Sequence, residues 1–382
     1  MRKLLVYIIT LLSIAPIFVG CGPNENKNVP VTLKWRNKTL FNSITVSFVV
    51  VDGVIYFGGQ YEYLNAIDKD TGEMIWQFFK YRVAFSNTAV VNGVVYVGGI
   101  CHGCHGVGKL YAIDAATGKL KWNFDAEGSS PGFGSPVVAY ETVYVADYSE
   151  MFYAIDAESG ELKWSYGIEN KWIVTRPVVA DGVVYIGNID KYMYAIDAYS
   201  GELKWKYTTG QYKQGYWEFS NPSVADGVVY AGSWDQHLHA IDADTGELRW
   251  HFKAGEVKFA SPAVIDGVVY AVCDDEHLYA INADSGELKW LSKTGIPAIP
   301  PPTVVNGVVY VGSYDHYVYA IASSNGHQMW RYKAKGPIVS PIVVIDDVIY
   351  FGTSIVLFTN VSNAVTRRLH WGPYLYALEM KK

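Results

Sequence analysis

The chain has 382 residues, of which 50% are apolar and 18% charged, with a formal net charge of −6. That balance supplies a large core and excludes a disordered chain, and its acidity argues against a general nucleic-acid binder, whose phosphate contacts need a basic face. Four cysteines are too few for a disulfide-built scaffold, whereas 30 tyrosines and 12 tryptophans suit strands and binding surfaces.

Taken in chain order, Arg2 and Lys3 precede an apolar stretch, Leu4 to Val19, that ends at Gly20-Cys21. A basic start, an apolar middle and a small residue before the cut predict a secretory signal over residues 1–20. The apolar run is short for a membrane span. Phe18-Val19-Gly20-Cys21 also resembles a bacterial lipobox, which implies lipidation at Cys21; an ordinary cleaved signal is the alternative. Residues 21–30 are polar and turn-rich, as a tether should be. The expectation is an exported lipoprotein at the periplasmic face of an outer membrane or at the cell surface, in a compartment that permits disulfides. The membrane is then touched only through the lipid.

Residues 31–382 are governed by a repeat. An acidic or amide residue, Gly and Val-Val-Tyr end at Tyr56, Tyr96, Tyr144, Tyr185, Tyr230, Tyr270, Tyr310 and Tyr350, in steps of 40, 48, 41, 45, 40, 40 and 40 residues. Each is followed by a segment of the type Leu-Tyr-Ala-Ile-Asp-x-x-Thr-Gly-Glu-Leu-Lys-Trp, whose tryptophans are Trp76, Trp122, Trp164, Trp205, Trp250, Trp290 and Trp330. Asp226-Gly227 and Asn306-Gly307 between apolar runs are two-residue hairpin signals. Val228-Val229-Tyr230 and Leu278-Tyr279-Ala280-Ile281 are apolar on both faces, as strands sandwiched between sheets should be. Units of about 40 residues and four strands predict an all-β, eight-bladed β-propeller of antiparallel blades. The eighth unit ends at Leu375-Tyr376-Ala377-Leu378 without its tryptophan strand, and Thr32-Leu33-Lys34-Trp35 supplies the missing piece from the N-terminal side. The ring is therefore expected to close through the N-terminal strand, leaving no open sheet.

In such a ring, with the four strands of a blade called A to D from the innermost outwards in chain order, the B–C and D–A connections share one face. All the large length differences fall there: Tyr96 to Tyr111 takes 15 residues, Tyr350 to Tyr376 takes 26, and Trp205 to Tyr230 takes 25. Variable loops on a rigid scaffold are where binding sits. Tyr212, Tyr216, Trp217, Trp234 and Trp371 lie on that face and suit a protein-binding patch, although packing of the loops onto the ring is the plainer account. Arg176 precedes Pro177 at the start of an innermost strand, where other blades put Ser135, Asn221, Ser261 and Ser340. It is a candidate for binding an anion or a partner carboxylate, with Ser135 and Asn221 beside it.

Three further groups of residues are candidate sites. Cys101-His102-Gly103-Cys104-His105 matches the C-x-x-C-H pattern of haem c attachment, with His105 as the iron ligand. The same residues fit a Cys101–Cys104 disulfide or a soft-metal site that also uses His102 or His105. Cys273 reads as a buried thiol. Asp190, Asp235, Asp275 and Asp315 recur at one B–C position, either as turn formers or as a calcium-binding ring. His237, His277 and His316 lie near them. No Ser-His-Asp set, HExxH, P-loop or Rossmann fingerprint is present in the sequence, so no catalytic residue is assigned.

The Ala-x-Asp-x-x-Thr/Ser-Gly-x-x-x-Trp repeat, as in Ala66-Ile67-Asp68…Gly72…Trp76 and Ala240-Ile241-Asp242…Gly246…Trp250, resembles the tryptophan-docking motif of PQQ-like propellers. The resemblance implies a structural girdle made by Trp35 and the seven tryptophans named above. One branch of that family, the quinoprotein dehydrogenases, carries pyrroloquinoline quinone (PQQ), calcium and a vicinal Cys-Cys pair; this chain has no adjacent cysteines. The compact lipoprotein branch, of the BamB type in the outer-membrane β-barrel assembly machinery, is non-catalytic and cofactor-free and binds envelope proteins. Size, lipobox and blade number fit this second branch. The expected function is a protein-binding scaffold; the alternative is a redox protein holding PQQ, or haem c through Cys101, Cys104 and His105, and acting as a dehydrogenase.

Overall fold

The structure, a computed structural model, describes residues 29–38, 48–59, 62–101, 108–126, 130–168, 175–188, 192–208, 219–255, 259–295, 301–354 and 374–381. The predicted signal and most of the tether, including Cys21, lie outside them.

Every regular element among the described residues is a strand, and the strands form eight four-stranded antiparallel sheets. Blades 1 to 7 span residues 48–79, 83–125, 137–167, 178–208, 223–253, 263–293 and 303–333. Blade 5 shows the pattern, with strand A Ser223–Ala225, B Val228–Gly232, C His237–Asp242 and D Leu248–Lys253. Blade 8 takes three strands from residues 343–380 and its outermost from Val31–Lys38, which pairs Val31 with Met380 and Trp35 with Ala377. The eight-bladed ring closed by the N-terminal strand is as expected.

Local chemistry explains the blade. Asp226-Gly227 and Asn306-Gly307 have both φ values positive, the condition for a tight hairpin that matches strand twist. Two A–B turns manage without glycine, Tyr140-Glu141 and Asp346-Asp347. At the first, the strain of a left-handed tyrosine is offset by contacts: Tyr140 OH accepts the Gly182 N–H at 3.0 Å, and its ring lies 5.4 Å from that of Tyr199. At the C–D turn, Asp242 Oδ1 accepts from the N–H groups of Asp244 and Thr245 and from the Thr245 hydroxyl. This bonding makes Asp-x-x-Thr-Gly a turn.

The core lies between blades. Val183–Gly187 and Val228–Gly232 are buried along their whole length, whereas strand D alternates exposed and half-buried positions. In one cluster Val228, Tyr230, Leu238 and Ala240 of blade 5 meet Val269, Ala271, Tyr279 and Ile281 of blade 6. Burying each of the larger apolar side chains contributes about 1.5–3 kcal/mol.

A polar lock repeats at the junctions. Trp205 Nε1 and Tyr185 OH of blade 4 both donate to the Ala243 carbonyl of blade 5, at 2.9 and 3.2 Å. Trp250 and Tyr230 do the same to Ala283, and Trp122 and Tyr96 to Ala157. Across the closure, Trp35 Nε1 and Tyr350 OH converge on Lys69 O. Blade 8 has no C–D turn of its own, and there Tyr310 OH lies 3.8 Å from Met380 Sδ instead. The glycine of each motif serves the same lock: Gly246 has φ +74°, and a Cβ there would sit 2.7 Å from the Trp205 ring.

Two outcomes follow for stability. Gly246→Ala should destabilise the fold by about 2 kcal/mol through left-handed strain and collision with Trp205, read as a lower urea midpoint. The C–D carboxylates also set acid sensitivity. Asp156, held chiefly by the Ser159 N–H, and Asp242, held chiefly by Arg249, are both lowered to about 2. An unfolded Asp titrates near ~4, so the stabilisation is complete above that pH and is lost as pH falls towards 2. Urea midpoints measured from pH 7 downwards should hold until about pH 4.5 and then drop steadily; an unchanged midpoint at pH 2.5 would contradict this account.

Candidate functional site

Hydrogen bonds between connections fix the two faces. On one, isolated bridges join D–A loops to B–C turns: Phe133 to Asp147, Phe219 to Ser233, Phe259 to Cys273 and Ile338 to Thr353. On the other, C–D turns rest on A–B turns, as Ala115 N on Gly93 O and Ala243 N on Gly227 O. The D–A and B–C connections therefore share a face with the innermost strand starts, as expected.

Those starts are tied blade to blade. The Arg176 N–H donates to Asn221 Oδ1 at 2.7 Å, and the Asn221 N–H to Ser261 Oγ at 3.1 Å. Arg176, Asn221 and Ser135 are all half-buried. Burial pulls the Arg176 guanidinium below its ordinary value, and among the described residues no carboxylate forms an ion pair with it. Ser340 does not belong to this ring. Its Oγ accepts the Gly352 N–H at 2.6 Å, the role that Thr175 plays for Gly187 and Ser220 for Gly232, so it stands one residue earlier. Alignment on the following proline misplaced it, because Pro341 itself occupies the Arg176 position.

The B–C aspartates are committed within their blades. Asp235, Asp275 and Asp315 each accept an N–H two residues on, from His237, His277 and Tyr317. Their other oxygen faces strand C: Asp275 accepts from Tyr279 OH, Asp315 from Tyr319 OH, and Asp235 from His239 Nε2 at 2.9 Å. Burial, reinforced by the neighbouring carboxylate, raises the phenols of Tyr279 and Tyr319. In blade 5 the chain of bonds continues, since His239 Nδ1 accepts from Tyr207 OH of blade 4 at 3.1 Å. Burial opposes ionisation of Asp235, but hydrogen bonds from His239 and the His237 N–H outweigh it and hold the carboxyl below the usual range. The sequence reading missed this pairing, although the recurring Asp-x-x-x-Tyr/His spacing signals it. His237 and His277 each donate Nδ1–H to the backbone of their turn, at 2.8 and 2.9 Å. Among the described residues no group of three or more His, Cys, Asp or Glu is arranged to hold a metal.

Cys101 ends a lengthened B strand, Val94–Cys101, and its N–H donates to Pro131 O at 2.8 Å. It is disulfide-bonded. Cys273 is a buried thiol, pushed up to about 12 by burial. Trp234 is 39% exposed on the B–C turn of blade 5. His102, Cys104, His105, Asp190, Tyr212, Tyr216, Trp217 and Trp371 lie outside the described residues.

The buried Asp235 makes a sharp expectation. His239→Phe removes its partner and should cost about 3 kcal/mol, whereas His239→Tyr restores the donor used by other blades and should cost far less. Chemical denaturation at pH 7 separates the two; equal losses would show that the bond carries no weight.

Comparison with known proteins matches this geometry. The family profile described as outer membrane protein assembly factor BamB matches residues 60–169, 130–251, 215–300 and 293–375. The structure of BamB from Moraxella catarrhalis superposes with a TM-score of 0.72 at 18% identity, covering 91% of this chain and 99% of that one. Quinohemoprotein alcohol dehydrogenase ADHIIG from Pseudomonas putida gives a TM-score of 0.72 at 17% identity, covering 94% of this chain and 78% of that one. At these identities the likeness speaks for the fold. In sequence, the quinohemoprotein alcohol dehydrogenase of Comamonas testosteroni is 37% identical over 86 residues, 20% of this chain. The match spans only 11% of that protein's own length, and 14% in the Pseudomonas putida relative. With its repeats, ring closure and profile matches together, the chain belongs to the PQQ-like β-propeller family described as outer membrane protein assembly factor BamB.

Proposed function

We propose that the protein is an exported, lipid-anchored, non-catalytic scaffold of the cell envelope that binds protein partners through its long-loop face. In this reading residues 1–20 are the signal, Cys21 carries the lipid, residues 21–30 are the tether and residues 31–382 form the propeller. The periplasmic side of an outer membrane or the cell surface is its place. The observation that carries the reading is that the D–A and B–C connections, the ones whose lengths vary in the sequence, bridge on one face of a ring whose family is described by outer-membrane protein assembly. Exposed Trp234 and the Arg176 guanidinium, which has no carboxylate partner among the described residues, stand on that face and suit a partner that brings a carboxylate to an aromatic rim. Tyr212, Tyr216, Trp217 and Trp371 belong to the same patch by sequence.

The quinohemoprotein relatives raise a cofactor alternative, and the described residues fit it poorly. Haem c attachment needs two thiols, and Cys101 is engaged in a disulfide. A calcium–quinone site needs available carboxylates, and Asp275 and Asp315 already serve Tyr279 and Tyr319.

A photo-crosslinking residue at Trp234 or Trp217, in the full chain in native membranes, tests the scaffold. A discrete adduct that weakens with Arg176→Glu is expected. Empty crosslinks at both positions, or a Soret band in the purified protein, would overturn the proposal.

A further inference from the structure

Strand D is the outermost strand of every blade, and among the described residues its outer edge has no paired neighbour. A bare edge invites pairing with another strand, and proteins guard such edges with charge, lysine above all. Side chains at alternate positions along strand D face the splayed, solvent-open side of the blade. In blade 5 these are Arg249, His251 and Lys253; in blade 4, Lys204, Lys206 and Thr208. At least one Lys or Arg occupies these three positions in each blade except the first.

Blade 1 breaks the rule. Its strand D, Met74–Phe79, carries Ile75, Gln77 and Phe79 there, with Met74 before them. Met74, Ile75 and Phe79 are 47%, 48% and 49% exposed. The surface is ordered from beneath: the Phe79 ring lies 5.1 Å from that of Tyr63, and Gln77 Nε2 donates to Asn65 Oδ1 at 2.8 Å. Ile75, Gln77 and Phe79 carry no charge, and the backbone edge along them is unpaired among the described residues.

We propose that this edge pairs with the same strand of a second copy, so that two propellers associate edge to edge through blade 1. Antiparallel pairing about a two-fold axis sets residues of equal parity opposite one another on one sheet face. Centred on Gln77, it places Ile75 against Phe79 of the second copy, twice, with the two Gln77 side chains side by side. Such apolar cross-strand pairs add to the stabilisation supplied by the backbone bonds. Charge is complementary as well. Glu73 precedes the strand, and Lys80 and Arg82 follow it, so each end brings the acid of one copy to the basic turn of the other. A foreign strand has no such built-in match, and the self-complementary order favours a second copy. Strand D runs from one face of the ring to the other, so antiparallel pairing inverts one disc. The two long-loop faces then open in opposite directions and both stay accessible.

The inference stands apart from the scaffold proposal, since a dimer without a captured partner leaves it intact. Sedimentation of the detergent-solubilised full chain should show a dimer that weakens at least about tenfold with Ile75→Lys plus Phe79→Lys. Lysine is native to these positions in other blades, so unchanged thermal unfolding is expected of the variant. Met329→Lys on blade 7 should leave the dimer intact. Gln77→Cys, on the two-fold axis, should give a disulfide-linked dimer on mild oxidation that the parent chain does not. A monomeric wild type, a dimer indifferent to the double substitution, or a silent Gln77→Cys overturns the proposal. So does protection of the blade 1 edge amides only when an unfolded polypeptide is added to a monomer, which would assign the edge to a foreign strand.

Discussion

One backbone carbonyl at most of the blade junctions organises this molecule. An indole N–H and a phenol O–H from one blade meet on the same C=O at the C–D turn of the next, as Trp205 and Tyr185 do on Ala243. A carbonyl has two lone pairs, so both donors are satisfied at a half-buried site where either would be costly unpaired. The geometry works because the turn glycine leaves room for the indole and takes the positive φ. The lock fixes the angle between neighbouring sheets, and the angle decides how many sheets close the ring.

The same logic holds at closure. Lys69 O receives Trp35 from the N-terminal strand and Tyr350 from strand B of blade 8, two residues far apart in sequence but side by side in one sheet. The last blade thus presents to blade 1 the surface that the other junctions present, although two distant segments of chain build it. With the shared-carbonyl lock on the opposite face, connection lengths on the long-loop face are free to vary. Asp235, Asp275 and Asp315 read in sequence as turn formers or as ligands, and in the fold they brace their own turns and strand C. What remains for partners on that face is the half-buried Arg176, exposed Trp234 and the long loops.

How much of this could be read beforehand differs between fold and site. The repeat of Val-Val-Tyr and of Asp-x-x-Thr-Gly-x-x-x-Trp is a local pattern, and each copy folds by the same short-range chemistry, so blade number, strand order and ring closure were legible. So was the sharing of one face by the insertions, because loop length within a fixed blade topology is a property of spacing. Individual contacts were not. Ser340 was placed with Arg176 because both come near a proline, and only the hydrogen bond to Gly352 shows the one-residue offset. The Tyr279–Asp275 and His239–Asp235 pairs were passed over because spacing suggests proximity but not which atoms face each other.

The amino-acid sequence by itself determined the architecture, since eight copies of a unit that must bury both sheet faces can do so only against one another. It also determined which positions carry the repeat's turn and docking residues, because those roles demand particular side chains. Tertiary structure alone decided which polar groups are already satisfied and which edge of the ring lacks its guard. Those properties depend on which atoms face one another in space, which spacing along the chain suggests but does not fix.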